Sequence, residues 1–279
     1  ERGFMFDKNL NEILGTDIPV IGSINLYGIC FAVGIIVCLI LFLKFTKMKG
    51  MTPLAQNFFY FTAIGSIIVG YFFAALFQAI YDYIEDPSAG FKFGGITFLG
   101  GLIGGAGCFL AVYYGLARVI YKDKEKYMEI RRQFPILLEV APCCILIAHA
   151  FGRIGCFFAG CCYGAETDSW LGIDFPGGPA GPHGKVYPTQ LFEAIFLFIM
   201  FAVCTVLYFK DIHINMAVYM GSYGIWRFLI EFLRDDHRGE FVAGLTPSQF
   251  WSLLLVVGAI ALVVLRVMLK KKKNYDLWV

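Results

Sequence analysis

The chain has 279 residues, of which 58% are hydrophobic and only 16% charged, a balance outside that of soluble globular domains. A formal net charge of +2 is too small a basic surplus for a nucleic-acid binder, so nucleic acid is excluded as a partner. The sequence is built for lipid as its solvent, and membrane is its expected environment.

Residues 1–17 are polar and acidic before the first apolar run, which argues for a structural first helix rather than a signal peptide. About 20 apolar residues cross a hydrocarbon core of about 30 Å. Seven such runs follow in order, near 19–43, 56–81, 98–117, 134–151, 189–209, 213–233 and 247–268. The fourth is the shortest, and a re-entrant segment fits it as well as a full span. Basic residues test the count, because Lys and Arg concentrate in cytoplasmic loops. Lys44, Lys47 and Lys49 follow the first run, and Arg118, Lys122, Lys124, Lys126, Arg131 and Arg132 the third. Lys210 follows the fifth, and Lys270, Lys271, Lys272 and Lys273 the seventh. All share one side if the N-terminus is outside and the C-terminus cytoplasmic. The expected fold is therefore an all-α polytopic membrane protein with seven transmembrane helices, one integral membrane domain over 1–279. A long external loop, 152–188, follows the fourth helix, and loops of that length are usually functional or disordered. The segments at 82–97 and 234–246 are the other external loops. No internal repeat of the kind found in many transporters is visible.

The rise of 1.5 Å per residue then gives each intramembrane polar residue a depth. Tyr27 lies in the outer half of the first span. Tyr223, Arg227, Glu231 and Arg234 share one face of the sixth and climb outward. Glu193 opens the fifth span, Gln249 and Ser252 the seventh, and Arg153 stands just beyond the fourth. Ionisable groups in a membrane face a partner or a wet cavity. One reading is a helix-locking ion-pair network, Arg227 with Glu231 and Arg153 with Glu193. The reading we favour is phosphate recognition, because guanidinium grips phosphate in a bidentate fork at headgroup depth. The glycine run 94–107 (GGITFLGGLIGGAG) suits close helix packing. Gly152, Gly155, Gly160 and Gly164 around Arg153 suit a backbone loop bent around a ligand.

Of the nine cysteines, Cys30, Cys38, Cys108 and Cys204 read as small packing residues within helices. Cys143 and Cys144 lie one span away from the loop thiols Cys156, Cys161 and Cys162. For those three, a loop-bracing disulfide, a reactive thiol beside Arg153 and inert packing are all open. Their spacing of five and one is not the short regular spacing of zinc sites, so no metal is expected, and nothing implies a cofactor.

FGRIGCFFAGCCYG (151–164) resembles the signature loop of the prolipoprotein diacylglyceryl transferase family, GRxGNFxNxExxG. LYG (26–28), GGITFLGGLIGG (94–105), YPTQLFEAIF (187–196), YGIWRFLIEFLR (223–234) and GLTPSQFWS (244–252) follow the order of that family's other blocks. The resemblance implies a seven-helix enzyme of the bacterial inner membrane. Such an enzyme moves diacylglyceryl from phosphatidylglycerol to the lipobox cysteine of a preprolipoprotein signal peptide, releasing glycerol phosphate. By that resemblance Arg153 and Arg227 bind the phosphate and stabilise its departure, with Glu193 and Glu231 holding them. Tyr27 and Tyr223 orient the headgroup, and Gly152, Gly155, Gln190, Arg234 and Gln249 complete the substrate site.

The departures concern thiol activation. The histidine of the family's GGMSFHGG block is Leu99 here. Its loop asparagines are Cys156 and Ala159, and its loop glutamate is Cys161. Its GAR on the second helix reads Gly70, Tyr71, Phe72, and its HPSQ reads Tyr187, Pro188, Thr189, Gln190. Either another group takes the proton, with His149, Glu193 and Glu231 as candidates, or the acceptor is not a lipobox cysteine. Two other classes stay open. A phospholipid-binding or transport protein would release no glycerol phosphate, and a thiol-disulfide oxidoreductase built on Cys156, Cys161 and Cys162 would be indifferent to loss of Arg227.

Overall fold

A computed structural model describes residues 9–18, 22, 24–95, 97–175, 184–234 and 244–271. Residues 1–8 of the polar stretch 1–17, most of the loop 234–246, the middle of the long loop and the basic Lys272 and Lys273 lie outside the described residues. The described chain is helical apart from one two-stranded hairpin. Its helices are α1 (Leu10–Leu14), α2 (Leu26–Met48), α3 (Pro53–Glu85), α4 (Phe98–Leu110), α5 (Ala117–Ile120), α6 (Lys124–Arg132), α7 (Phe134–Phe158), α8 (Thr189–Phe209), α9 (Asn215–Ile230) and α10 (Pro247–Lys271). The strands are β1 (Ile173–Asp174) and β2 (Lys185–Val186). Among the described residues six helical segments are long and apolar enough to cross a membrane: Leu26–Met48, Pro53–Ile84, Gly100–Ile120, Phe134–Phe158, Thr189–Phe209 and Pro247–Met268.

Several boundaries move for local reasons. The first span begins at Leu26 because the Asn25 side chain accepts the Gly28 N–H at 2.8 Å and caps the helix there. The second begins with Thr52 as cap and Pro53 in the first turn. The third runs on past α4 through a π-helical stretch, Ala111–Leu116, into α5. The fourth is corrected most: α7 has 25 residues and carries Gly152, Arg153 and Gly155 inside the helix, not in a loop. A helix interior tolerates glycine at about 1 kcal/mol, and the surrounding residues are apolar. The helix ends at Gly160, whose φ of 63° suits glycine. The sixth run becomes α9, of 16 residues, followed by a 3-10 turn at Glu231–Leu233.

The chain forms two compact units, residues 43–137 and residues 1–42 with 138–279. In the first, glycines form the α3–α4 seam. A Cβ on Gly104 would collide with the Phe73 ring, one on Gly100 would lie 2.8 Å from Phe77 Cβ, and one on Gly70 would lie 3.0 Å from the Gly101 carbonyl oxygen. The packing role expected of the 94–107 run is thus what the geometry shows. The turn between α2 and α3 is tied by Gln56, whose Nε2 donates to the Leu43 carbonyl at 2.8 Å and to Thr46 Oγ1 at 2.7 Å. Polar helix α6 brings Arg131 over the Tyr113 and Tyr114 rings, at 5.0 and 5.2 Å.

In the second unit α2 crosses α7 closely. A Cβ on Gly34 would lie 2.9 Å from Phe151 Cβ, and one on Gly155 3.1 Å from the Tyr27 ring. Gly224 on α9 leaves room for the Ser252 carbonyl of α10. Asn215, fully buried, donates through Nδ2 to the carbonyls of Glu139 and Cys204, both at 2.9 Å, and joins α7, α8 and α9.

Candidate active site

The site lies in this second unit. Three helices carry its centre, and each contributes a side chain by helical periodicity. On α7, His149 and Arg153 are four residues apart and share a face. Glu193, 1% exposed, stands on α8, and Tyr223 and Arg227 lie on α9. Arg153 Nη2 is 3.0 Å from Glu193 Oε2, Tyr223 donates its hydroxyl to Glu193 Oε1 at 3.0 Å, and His149 Nε2 is 3.6 Å from the same oxygen. Glu193 also feels the charge of Arg227, whose own ion pair is with Glu231. Removing one partner from a buried pair of this kind costs about 3–5 kcal/mol.

The second ion pair forms as the spacing predicts. Arg227 Nη1 donates to Glu231 Oε2 at 2.7 Å, and Nη2 donates to Ser248 Oγ at 2.8 Å. Thr246 donates its hydroxyl to the other Glu231 oxygen at 2.8 Å. The same hydroxyl accepts the Gln249 N–H at 3.2 Å, while Gln249 Oε1 accepts the Thr246 N–H at 3.1 Å. That reciprocal pair is a capping box starting α10. Gln249, expected in the substrate site, is therefore placed in a helix cap. Ser248 and Thr246 were not singled out from the sequence, although the T-x-x-Q pattern marks the cap.

Past α7 the chain turns back sharply. Cys161 N–H donates to the Cys156 carbonyl at 3.1 Å, and Cys162 takes a left-handed φ of 63°, unusual for a residue with a side chain. The Cys162 carbonyl accepts from Thr189 Oγ1 at 2.8 Å and from Arg234 Nη1 at 3.2 Å, and the Cys161 carbonyl accepts from Gln190 Nε2 at 3.2 Å. Gly164 is the one residue type that fits next, since a Cβ there would collide with the Leu233 carbonyl. Beyond it Ala165 N–H donates to that carbonyl at 2.8 Å, and β1 pairs antiparallel with β2. Arg234 and Gln190, expected to touch substrate, thus hold the turn.

The turn brings the three loop cysteines together: the Sγ atoms of Cys156, Cys161 and Cys162 all lie within 4.8 Å of one another. All nine cysteines are free thiols. The Cys162 thiol is held well below the ordinary thiol range, first by hydrogen bonds from the Cys156 and Cys161 thiols and then by the charges of Arg153 and Arg234. The remaining expected residues divide. Tyr27 packs against Gly155 and stacks on Phe31, with ring centroids 6.4 Å apart. Open space surrounds the Cα of Gly152. Leu99 lies in the first turn of α4.

The family model described as prolipoprotein diacylglyceryl transferase matches residues 17–265. The chain belongs to that family. It is 36% identical over 261 residues to phosphatidylglycerol–prolipoprotein diacylglyceryl transferase 2 of Clostridium perfringens, covering 91% of this chain and 93% of the relative. The Clostridium tetani phosphatidylglycerol–prolipoprotein diacylglyceryl transferase is 32% identical over 239 residues, 83% of this chain and 88% of its own. That of Dehalococcoides mccartyi strain CBDB1 is 30% identical over 281 residues, 98% and 99%. Since the alignments span nearly the whole of both partners, this diacylglyceryl transferase family member shares the framework from α2 to α10.

Proposed function

We propose that this chain transfers the diacylglyceryl group of phosphatidylglycerol to the lipobox cysteine thiol of a preprolipoprotein, in the bacterial inner membrane. The observation that carries the reading is the pairing of Arg153 and Tyr223 with buried Glu193, together with the buried Arg227–Glu231 pair, in a chain of this family. In the reaction a sulfur attacks the glyceryl carbon, the carbon–oxygen bond to phosphate breaks, and charge gathers on the departing phosphate. Fixed guanidinium groups at that position lower the barrier by electrostatic stabilisation. Arg153 Nε is buried without a partner among the described residues, which leaves a donor for a phosphate oxygen. Arg153 and Arg227 are assigned to the phosphate, Glu193 and Glu231 to holding them, and Tyr27 and Tyr223 to the headgroup. Arg234, Gln190 and Gly155 support the turn and the helix contact beside it.

The topology that goes with this reading has seven spans, with α9 and its 3-10 turn as the sixth, in one integral membrane domain. The N-terminus is outside and the C-terminus cytoplasmic, because the basic clusters then share one side. The site lies towards the outer leaflet. A chain of 16 helical residues is about 24 Å long, so the turn at Glu231–Leu233 completes the crossing.

The test is purified protein incubated with labelled phosphatidylglycerol, with and without a lipobox peptide. Glycerol phosphate released only with peptide, together with a lipid-modified peptide, is the expected result. Release without peptide would assign another acceptor, and no release from folded protein would end the transferase reading. The rewritten thiol-activating positions favour a second reading, a divergent branch that uses phosphatidylglycerol with another acceptor.

A further inference from the structure

We propose that Cys156, Cys161 and Cys162 are a trithiolate site for a thiophilic d10 cation, zinc(II) foremost, whose fourth position takes the acceptor thiol of the reaction. The second half of this proposal rests on the transferase reading above, and the first half does not. Three sulfurs within 4.8 Å of one another need to draw in by only about 1 Å, because Zn–S bonds of about 2.3 Å put tetrahedral sulfurs about 3.8 Å apart. Among the described residues no fourth His, Cys, Asp or Glu joins the group. Three protein ligands with one open position is the pattern of catalytic zinc rather than structural zinc.

The turn is held in place by contacts that do not involve the sulfurs. Thr189 and Arg234 fix the Cys162 carbonyl, Gln190 fixes the Cys161 carbonyl, and the Cys161 N–H caps α7. Cys162 holds a left-handed φ of 63°, a strained backbone for a residue with a side chain, and its sulfur lies with those of its two neighbours. A dication with three thiolates carries a net charge of −1, and Arg153 and Arg234 both act electrostatically on Cys162. The buried thiols Cys143 and Cys204, elsewhere in the same unit, lie beside the carboxylate of Glu139 instead.

A coordinating thiol is deprotonated outright by a bound dication. An acceptor cysteine in the fourth position would give its proton to water, and its sulfur lone pair would attack the glyceryl carbon as the bond from that carbon to the phosphate oxygen breaks. The bonding pair would leave with glycerol phosphate, where Arg153 would meet it. No oxidation state would change, and the thioether product would be the poorer ligand.

Full-length protein purified in detergent under reducing conditions should carry about one zinc per chain, or bind one Cd2+ per chain after chelation, seen as sulfur-to-cadmium charge-transfer absorption. Cys156→Ser, Cys161→Ser and Cys162→Ser should each lose it, and Cys108→Ser should keep it. Because a serine variant can fail to fold, a second measurement uses the native chain. Zn2+ or Cd2+ should protect these three cysteines together from iodoacetamide, as counted by peptide mass spectrometry. Failure of the reduced native chain to bind either ion, or alkylation of the three unchanged by metal, overturns the site, as does a purified chain whose Cys156 is locked in a disulfide that reduction does not convert to a metal-binding form. Removing the ion should then lower transfer to a lipobox peptide at least tenfold, with recovery on adding Zn2+. Unchanged transfer in metal-free protein overturns thiol activation and leaves the transferase reading standing. Metal binding without any transfer supports the site and sinks the transferase reading.

Discussion

Arg153 holds two environments together, since it pairs with Glu193 on α8 and acts on the thiols at the end of its own helix. An arginine that stabilises a departing phosphate contributes on the order of a hundred- to a thousandfold in rate. Arg153→Ala and Arg227→Ala should therefore each lower glycerol phosphate release by at least about a hundredfold, while Cys108→Ala leaves it unchanged. Equal activity in all three would separate the arginines from the chemistry. Cys162 gives a second outcome at this scale. Its folded-state pKa lies below the usual thiol value because of its thiol and arginine neighbours, so a larger share of it is thiolate at neutral pH than of an ordinary thiol. In chelator-treated protein its alkylation rate should fall less as pH drops from about 8.5 to 7 than that of an ordinary thiol, which slows more than tenfold over that range. A tenfold fall at Cys162 would show that its neighbours do not stabilise the thiolate.

At the scale of elements, the α3–α4 seam and the end of α7 show glycine used in two ways. In the seam it admits a neighbouring helix: the space beside Gly104 is filled by the Phe73 ring. Overpacking such a contact costs about 1–3 kcal/mol, so Gly104→Val should lower the thermal midpoint in a detergent unfolding assay with the metal-binding thiols unaffected. A midpoint equal to the native chain's would mean that the seam yields. At the end of α7 the glycines instead let the chain reverse, and Gly164 must stay bare for the Leu233 carbonyl. Arg153 sits within α7, and its orientation is consequently set by a helix, which holds a charged group more closely than a loop does.

For the whole molecule the open question is orientation, and the basic clusters answer it by expectation. A biotin-acceptor peptide inserted beside Lys124, in α6, should be biotinylated by a cytoplasmic ligase, and one beside Ser169, in the turn before β1, should not. The reverse labelling would place the site on the cytoplasmic side and remove access to exported lipobox substrates. The near-complete coverage of family members of similar length means that the whole chain, and not a grafted module, follows the diacylglyceryl transferase plan.

Membrane class, six of the expected spans and the Arg227–Glu231 pair were legible in the residues, because lipid imposes a length on every crossing and helical spacing puts side chains four apart on one face. Glu193 with Arg153 was legible too, as opposite charges at one expected depth. Only the tertiary structure could decide where α7 ends, which sends Arg234 and Gln190 to backbone carbonyls, Gln249 to a helix cap and three sulfurs to one point. Spacing of five and one along the chain argues against a metal. A left-handed reversal at Gly160 and Cys162 folds that spacing back on itself, because distance along a backbone limits how far apart two groups lie and says little about how close they come.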